Sequence, residues 1–242
     1  MKQTALKMLG AASLALTALT ATAQDTTKMT QKASYIAMTA AKQQTEDFAQ
    51  FLTGAAELVR ETEPGTKLWF ALQAPGEQLS IFDIFVDERA REAHFSGVVA
   101  GALKDNAERL VGGGWDKGVV ANIENSSVLS AKAPVDVHTA TTATYIKLKS
   151  APGQGDALAE LLTAAGAIVA GTEPKTLYWV SLRIDANTFA IFDVFADDSG
   201  RQAHFEGQVA SLLKEQSSVL VDGGWEQGVV ANVKNYEILA IK

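Results

Sequence analysis

Apolar residues recur at helical spacing over Phe48, Leu52, Ala55, Ala56 and Val59, and again over Leu158, Leu161, Leu162, Ala165 and Val169, which predicts two amphipathic helices. Thr62-Glu63-Pro64 and Thr172-Glu173-Pro174 close them, because the residue before a proline is pushed out of the helical region. Each helix is preceded by a short apolar strand at Tyr35–Met38 or Tyr145–Leu148. Each is followed by a second strand, Thr66–Leu72 or Thr176–Leu182, and a turn at Pro75-Gly76 or Asp185-Ala186-Asn187 that makes a hairpin with a third. The third strand reads Leu79-Ser80-Ile81-Phe82-Asp83-Ile84-Phe85 in one copy and Phe189-Ala190-Ile191-Phe192-Asp193-Val194-Phe195 in the other. Asp87-Glu88 and Asp197-Asp198-Ser199 then open a second helix, acidic where a helix N-terminus favours negative charge and a cap. Phe95, Val99, Ala102 and Leu103, matched by Phe205, Val209, Leu212 and Leu213, give that helix its apolar stripe. Gly113-Gly114-Trp115 and Gly223-Gly224-Trp225 end it, and Val119–Leu129 and Val229–Leu239 supply a final strand.

All these features repeat at an offset of 110 residues. The chain is therefore two copies of a β-α-β-β-α-β unit, an α+β class with four antiparallel strands and two helices on one face, the ferredoxin-like arrangement. The copies span 34–132 and 144–242, joined by a small, polar linker at 133–143 with one proline. The third strand is apolar on both faces, whereas a solitary sheet of this kind covers one face and wets the other. The bare faces of the two copies are thus expected to pack together as an α/β barrel within one chain, a pseudo-dimer able to associate further.

Residues 1–23 carry Lys2 and Lys7, an apolar run from Met8 to Leu19, and Ala21-Thr22-Ala23. This is the pattern of a signal peptide with an A-x-A cleavage site, which predicts a periplasmic or secreted protein. The run is too short to span a bilayer. Removing those two lysines takes the formal net charge from −7 to −9, which disfavours nucleic acid and anionic membranes as partners. The absence of cysteine excludes thiolate chemistry and Cys-ligated metal. One histidine per copy, with no paired-ligand spacing, predicts no metal site, and the glycines match no nucleotide-binding loop.

The most informative repeated pairs are Asp83/His94 and Asp193/His204. Asp83 lies two strand residues, ~7 Å, before the end of its strand, and His94 lies ~10 Å along a helix that returns over the sheet. A carboxylate among apolar neighbours needs a partner, and the imidazole is the obvious one. The pair is read either as a catalytic acid–base couple or as a buried structural pair. Trp69, Trp115, Trp179 and Trp225, two pairs at the same offset, are candidate walls for a flat aromatic ligand, or core packing. Tyr35 and Tyr145 are candidates to line the same cavity. Arg91 and Arg201, three residues before the histidines, are candidates for an oxyanion or for surface ion pairs. His138, in the linker, is expected to be inert.

Glu63-Pro64-Gly65-Thr66 before the second strand, Phe-Ala-Ile-Phe-Asp-Val-Phe over 189–195 and Arg201-Gln202-Ala203-His204-Phe205 in the second helix together resemble the antibiotic biosynthesis monooxygenase domain. That dimeric α/β-barrel group includes quinol monooxygenases. The resemblance covers nearly all of both copies. It implies oxidation of a small aromatic such as a quinol by dioxygen without a cofactor. His94 and His204 would then act as bases, Asp83 and Asp193 as their partners and the tryptophans as the pocket. Val99 and Val209 stand where related domains often carry a second histidine, and Leu103 and Leu213 where a haem-degrading relative places its axial ligand. The competing expectation is a ligand-binding or structural barrel without turnover.

Overall fold

The computed structural model describes residues 31–242; the expected signal peptide lies outside them. The first repeat contains β1 (Lys32–Thr39), α1 (Thr45–Thr62), β2 (Thr66–Gln73), β3 (Gln78–Phe85), α2 (Glu88–Phe95), α3 (Val98–Leu110) and β4 (Ile123–Lys132). The second contains β5 (Thr142–Lys149), α4 (Gly155–Thr172), β6 (Thr176–Arg183), β7 (Thr188–Phe195), α5 (Asp198–Phe205), α6 (Gln208–Leu220) and β8 (Val233–Ile241). Among the described residues, no helix is long and apolar enough to cross a membrane.

Within each repeat the strands follow the expected order, β4-β1-β3-β2 and β8-β5-β7-β6. The two sheets then join at both ends, β2 to β8 and β4 to β6, and close an eight-stranded antiparallel barrel. Strand alternation assigns every side chain to the barrel interior or to the outer layer under the helices. Tyr35, Phe70, Phe82 and Ile84 point inward with their counterparts Tyr145, Val180, Phe192 and Val194. Ile36, Met38, Trp69 and Ile81 point outward beneath α1 and α3. The expected contact between bare sheet faces is therefore a filled barrel. Tyr35 stacks on Tyr145 with ring centroids 3.9 Å apart, and Phe82 on Phe192 at 3.8 Å. The Tyr35 hydroxyl also shares a short hydrogen bond with that of Tyr236. Replacing Tyr236 by Phe removes that bond inside the barrel, so urea unfolding should show a loss of about 1 kcal/mol; an unchanged midpoint at unchanged slope would count against the bond.

Two boundaries differ from the sequence reading. The second helix is two helices, broken at Ser96-Gly97 and again at Glu206-Gly207. Asp87 and Asp197 cap α2 and α5 as expected, accepting from Ala90 N at 2.8 Å and Gly200 N at 3.0 Å. The break brings the start of α3 or α6 against a buried glutamate: a Cβ on Gly97 would meet Glu63 Oε1 at 3.2 Å, and one on Gly207 would meet Glu173 Oε1 at 2.7 Å. The final strands begin at Ile123 and Val233, later than their apolar pattern suggests. Asn122 and Asn232 explain the delay. Each amide donates to two preceding carbonyls, Lys117 and Gly118 O in one copy and Gln227 and Gly228 O in the other, holding a tight helical turn. The linker forms a short turn at Val137–Thr139 that buries Val137 in the barrel core and leaves His138 exposed.

Candidate functional site

Asp83 sits in β3 with Trp69 of β2 and Ser34 of β1 as its register partners. It therefore faces outward, under the helices, and is 0% exposed. Neither of its carboxylate oxygens has a hydrogen-bond partner, nor has the indole nitrogen of Trp69. From α2, His94 brings Nε2 to 3.8 Å from Asp83 Oδ2, while its Nδ1 bonds Glu63 Oε2 at 2.5 Å. Glu63 is the residue that stops α1 before Pro64, and Thr66 Oγ1 donates to the same oxygen at 3.0 Å. The second repeat reproduces this arrangement. His204 Nε2 lies 3.6 Å from Asp193 Oδ2, its Nδ1 bonds Glu173, and Thr176 donates to Glu173 at 3.2 Å.

Each histidine is therefore clamped between two carboxylates. Burial pushes the Asp83 carboxyl up to about 7, with the charge of Glu63 in the same direction and that of His94 opposing; Asp193 is likewise pushed to about 7. Burial alone would lower the imidazole, but the charge of the aspartate and the bond to the glutamate outweigh it, so His94 and His204 are raised. Each imidazole thus holds its proton more firmly than a free one, and each aspartate carboxyl, pushed to about 7, can exchange a proton near neutrality.

His94 lines two spaces. On its Glu63 side lies a cleft of about 230 Å³ bounded by Pro64, Thr66, Ala93 and Gly97, and His204 has a matching cleft of about 300 Å³. On its inner side a void of about 20 Å³ is bounded by Trp69, Ile81, Phe95, Leu103 and Trp115. That is room for one water or one dioxygen. Trp69 and Trp179 are fully buried core residues. Trp115 and Trp225 are only partly buried and follow paired glycines with positive φ, and Lys214 lies over the Trp225 ring at 5.8 Å.

Other candidates are not brought to the histidines. Tyr35 and Tyr145 lie inside the barrel, separated from His94 and His204 by the sheet itself, because strand alternation sends them to the opposite face. Arg91 pairs with Glu88 at 2.6 Å and Arg201 with Asp198 at 2.5 Å, one helical turn back, as their surface reading anticipates. Glu63 and Glu173 were missed as site residues, although Glu-Pro recurs at the 110-residue offset. Their part in stopping a helix concealed the direction of their side chains.

No family model matches the chain, and no curated protein does. Among solved structures, it superposes on a candidate monooxygenase from Fusobacterium nucleatum with a TM-score of 0.71 at 16% identity, covering 88% of this chain and 94% of that one. A candidate monooxygenase from Lactobacillus acidophilus gives a TM-score of 0.71 at 13% identity, covering 88% and 95%. A protein of unknown function from Nitrosomonas europaea is 35% identical over 43% of this chain and 95% of its own, with a TM-score of 0.40. At these identities the likeness is one of fold: the chain carries the ferredoxin-like β-α-β-β-α-β unit twice over, closed into one α+β barrel.

Proposed function

We propose that the chain is a cofactor-independent monooxygenase that oxidises a small aromatic, such as a quinol, with dioxygen at the outer faces of the barrel. The observation that carries this reading is the fully buried Asp83 carboxyl, without a hydrogen-bond partner and pushed up to about 7 beside a clamped histidine. Such perturbed pairs concentrate at functional sites. In the ionised form Asp83 takes a proton from the phenolic hydroxyl. The resulting anion gives an electron to dioxygen, the two radicals combine, and loss of water leaves the hydroxylated quinone. One oxygen atom ends in the product and one in water, and the substrate supplies all the electrons. His94 and Glu63 form a proton path from Asp83 to the outer cleft.

The inner void admits dioxygen but not a quinol. The aromatic therefore enters as α2 and α3 part from the sheet at the Ser96-Gly97 break, with Trp69 and Trp115 as walls; Trp179 and Trp225 serve the second repeat. The signal-like pattern of residues 1–23 supports a periplasmic or secreted setting for this chemistry. A second reading, a barrel without turnover, is favoured by the close packing of Trp69 and Trp179. Oxygen uptake with a panel of hydroquinones decides between them. Uptake by the native protein should fall at least a hundredfold in an Asp83→Asn/Asp193→Asn double variant. Uptake unchanged in the variant removes the base, and no uptake with any member favours the barrel without turnover.

A further inference from the structure

We infer that each Glu-His-Asp constellation is completed by the opposite repeat, with Lys242 a positioning residue for Glu63 and His94, and Lys132 for Glu173 and His204. Lys242 follows β8 of the second repeat, yet its Nζ donates to the backbone carbonyl of Glu63 at 2.5 Å and to that of Thr66. Lys132 ends β4 of the first repeat, and its Nζ donates to the carbonyl of Glu173 at 2.7 Å. The two lysines are 110 residues apart, the offset of the repeat. The seams of the barrel bring them there: Lys132 pairs with Trp179 of β6, and Lys242 N donates to Trp69 O of β2 at 2.9 Å.

The physical need is local. The last carbonyls of a helix have no intrahelical donor, and the proline after each glutamate has no N–H to offer. Thr66 N and Thr176 N reach the Glu63 and Glu173 carbonyls at 3.2 Å, and the ammonium adds a second, charged donor to each, as lysines near helix C-termini do. It fixes the carbonyl of the residue whose carboxylate holds His Nδ1. Lysine thereby sets the position of the glutamate, and the glutamate that of the histidine. The charged groups facing His94 are Asp83 from β3, Glu63 from the end of α1 and Lys242, with Arg60 of α1 acting on Lys242; those facing His204 are Asp193, Glu173 and Lys132. Arg60 adds a bond to Ile241 O at 3.0 Å, and Ala170 stands at its place in the second repeat, so the first site is tied across the seam more firmly.

The test needs no turnover, so its failure is separate from failure of the oxygenase reading. Histidine side chains are titrated by heteronuclear NMR in the full chain and in Lys242→Met and Lys132→Met. Removing a cation raises a nearby imidazole by simple charge, whereas loosening its glutamate lowers it, so the sign separates the two roles. Lys242→Met should lower the His94 midpoint by roughly half a pH unit and weaken its Nδ1 proton signal, leaving His204 unmoved. Lys132→Met should do the converse. A rise, a shift of the histidine in the mutated repeat, equal shifts of both histidines, or no shift would overturn the assignment.

Discussion

An Asp83→Asn/Asp193→Asn variant is expected to be more stable than the native protein at pH 8 and about equally stable at pH 4. In the native fold both carboxyls are raised from 3.8 to about 7, chiefly by burial. At pH 4, close to their ordinary value of 3.8, they are protonated in the fold and about half protonated in the unfolded chain, so they cost little. As the pH rises towards 7 the unfolded chain releases these protons while the fold retains them, and stability falls. Above pH 7 the ionised carboxylates remain buried without hydrogen bonds. A shift of this size corresponds to about 4 kcal/mol per site. Asparagine keeps the shape without the charge, so most of that cost should disappear. Urea midpoints at pH 4 and pH 8 measure the difference. A variant no more stable at pH 8 than at pH 4, relative to native, would show that these groups do not titrate near neutrality. Stability gained where oxygen uptake is lost is the signature of a residue kept for function.

Removing the histidines should have the opposite effect. In a His94→Ala/His204→Ala variant, Glu63 and Glu173 lose their bonds to Nδ1, and Asp83 and Asp193 lose the imidazoles that lie 3.8 and 3.6 Å from them. Breaking a buried ion pair by deleting one partner costs about 3–5 kcal/mol per site. For a chain of this size that lowers the melting temperature by about 10 °C or more. The loss should be larger at pH 5 than at pH 8, because an imidazole raised in the fold contributes its stability below its free value of 6.5 and loses it as the pH rises. A loss below about 1 kcal/mol at pH 5, measured by calorimetry and urea unfolding, would mean that the clamp contributes little to the folded state.

The repeat made most of this architecture legible in the sequence. Two copies of each strand and helix at one offset fixed the β-α-β-β-α-β order, and the double apolar face of the third strand foretold the closed barrel. Asp83 and His94 were found because a carboxylate inside an apolar strand needs a partner. Tyr35 was misjudged for the same reason that the barrel was foreseen. When both faces of a strand are apolar, alternation does not say which is inner, and only the pairing of Tyr35 with Phe82 settles it. The break before α3 was hidden because Ser96-Gly97 interrupts the helix without interrupting its apolar spacing. Glu63 and Lys242 escaped notice because their interaction joins residues 179 positions apart, across a seam that exists only once the barrel has closed.

That closure also governs how molecules meet one another. In a ring where each strand is flanked on both sides, β2 by β8 and β4 by β6 included, main-chain donors and acceptors are used up within one polypeptide. Among the described residues a neighbouring molecule finds no open rim on which to add a strand, so the usual first step towards fibrous aggregates is blocked there. Cutting the two halves apart would uncover four such rims at once.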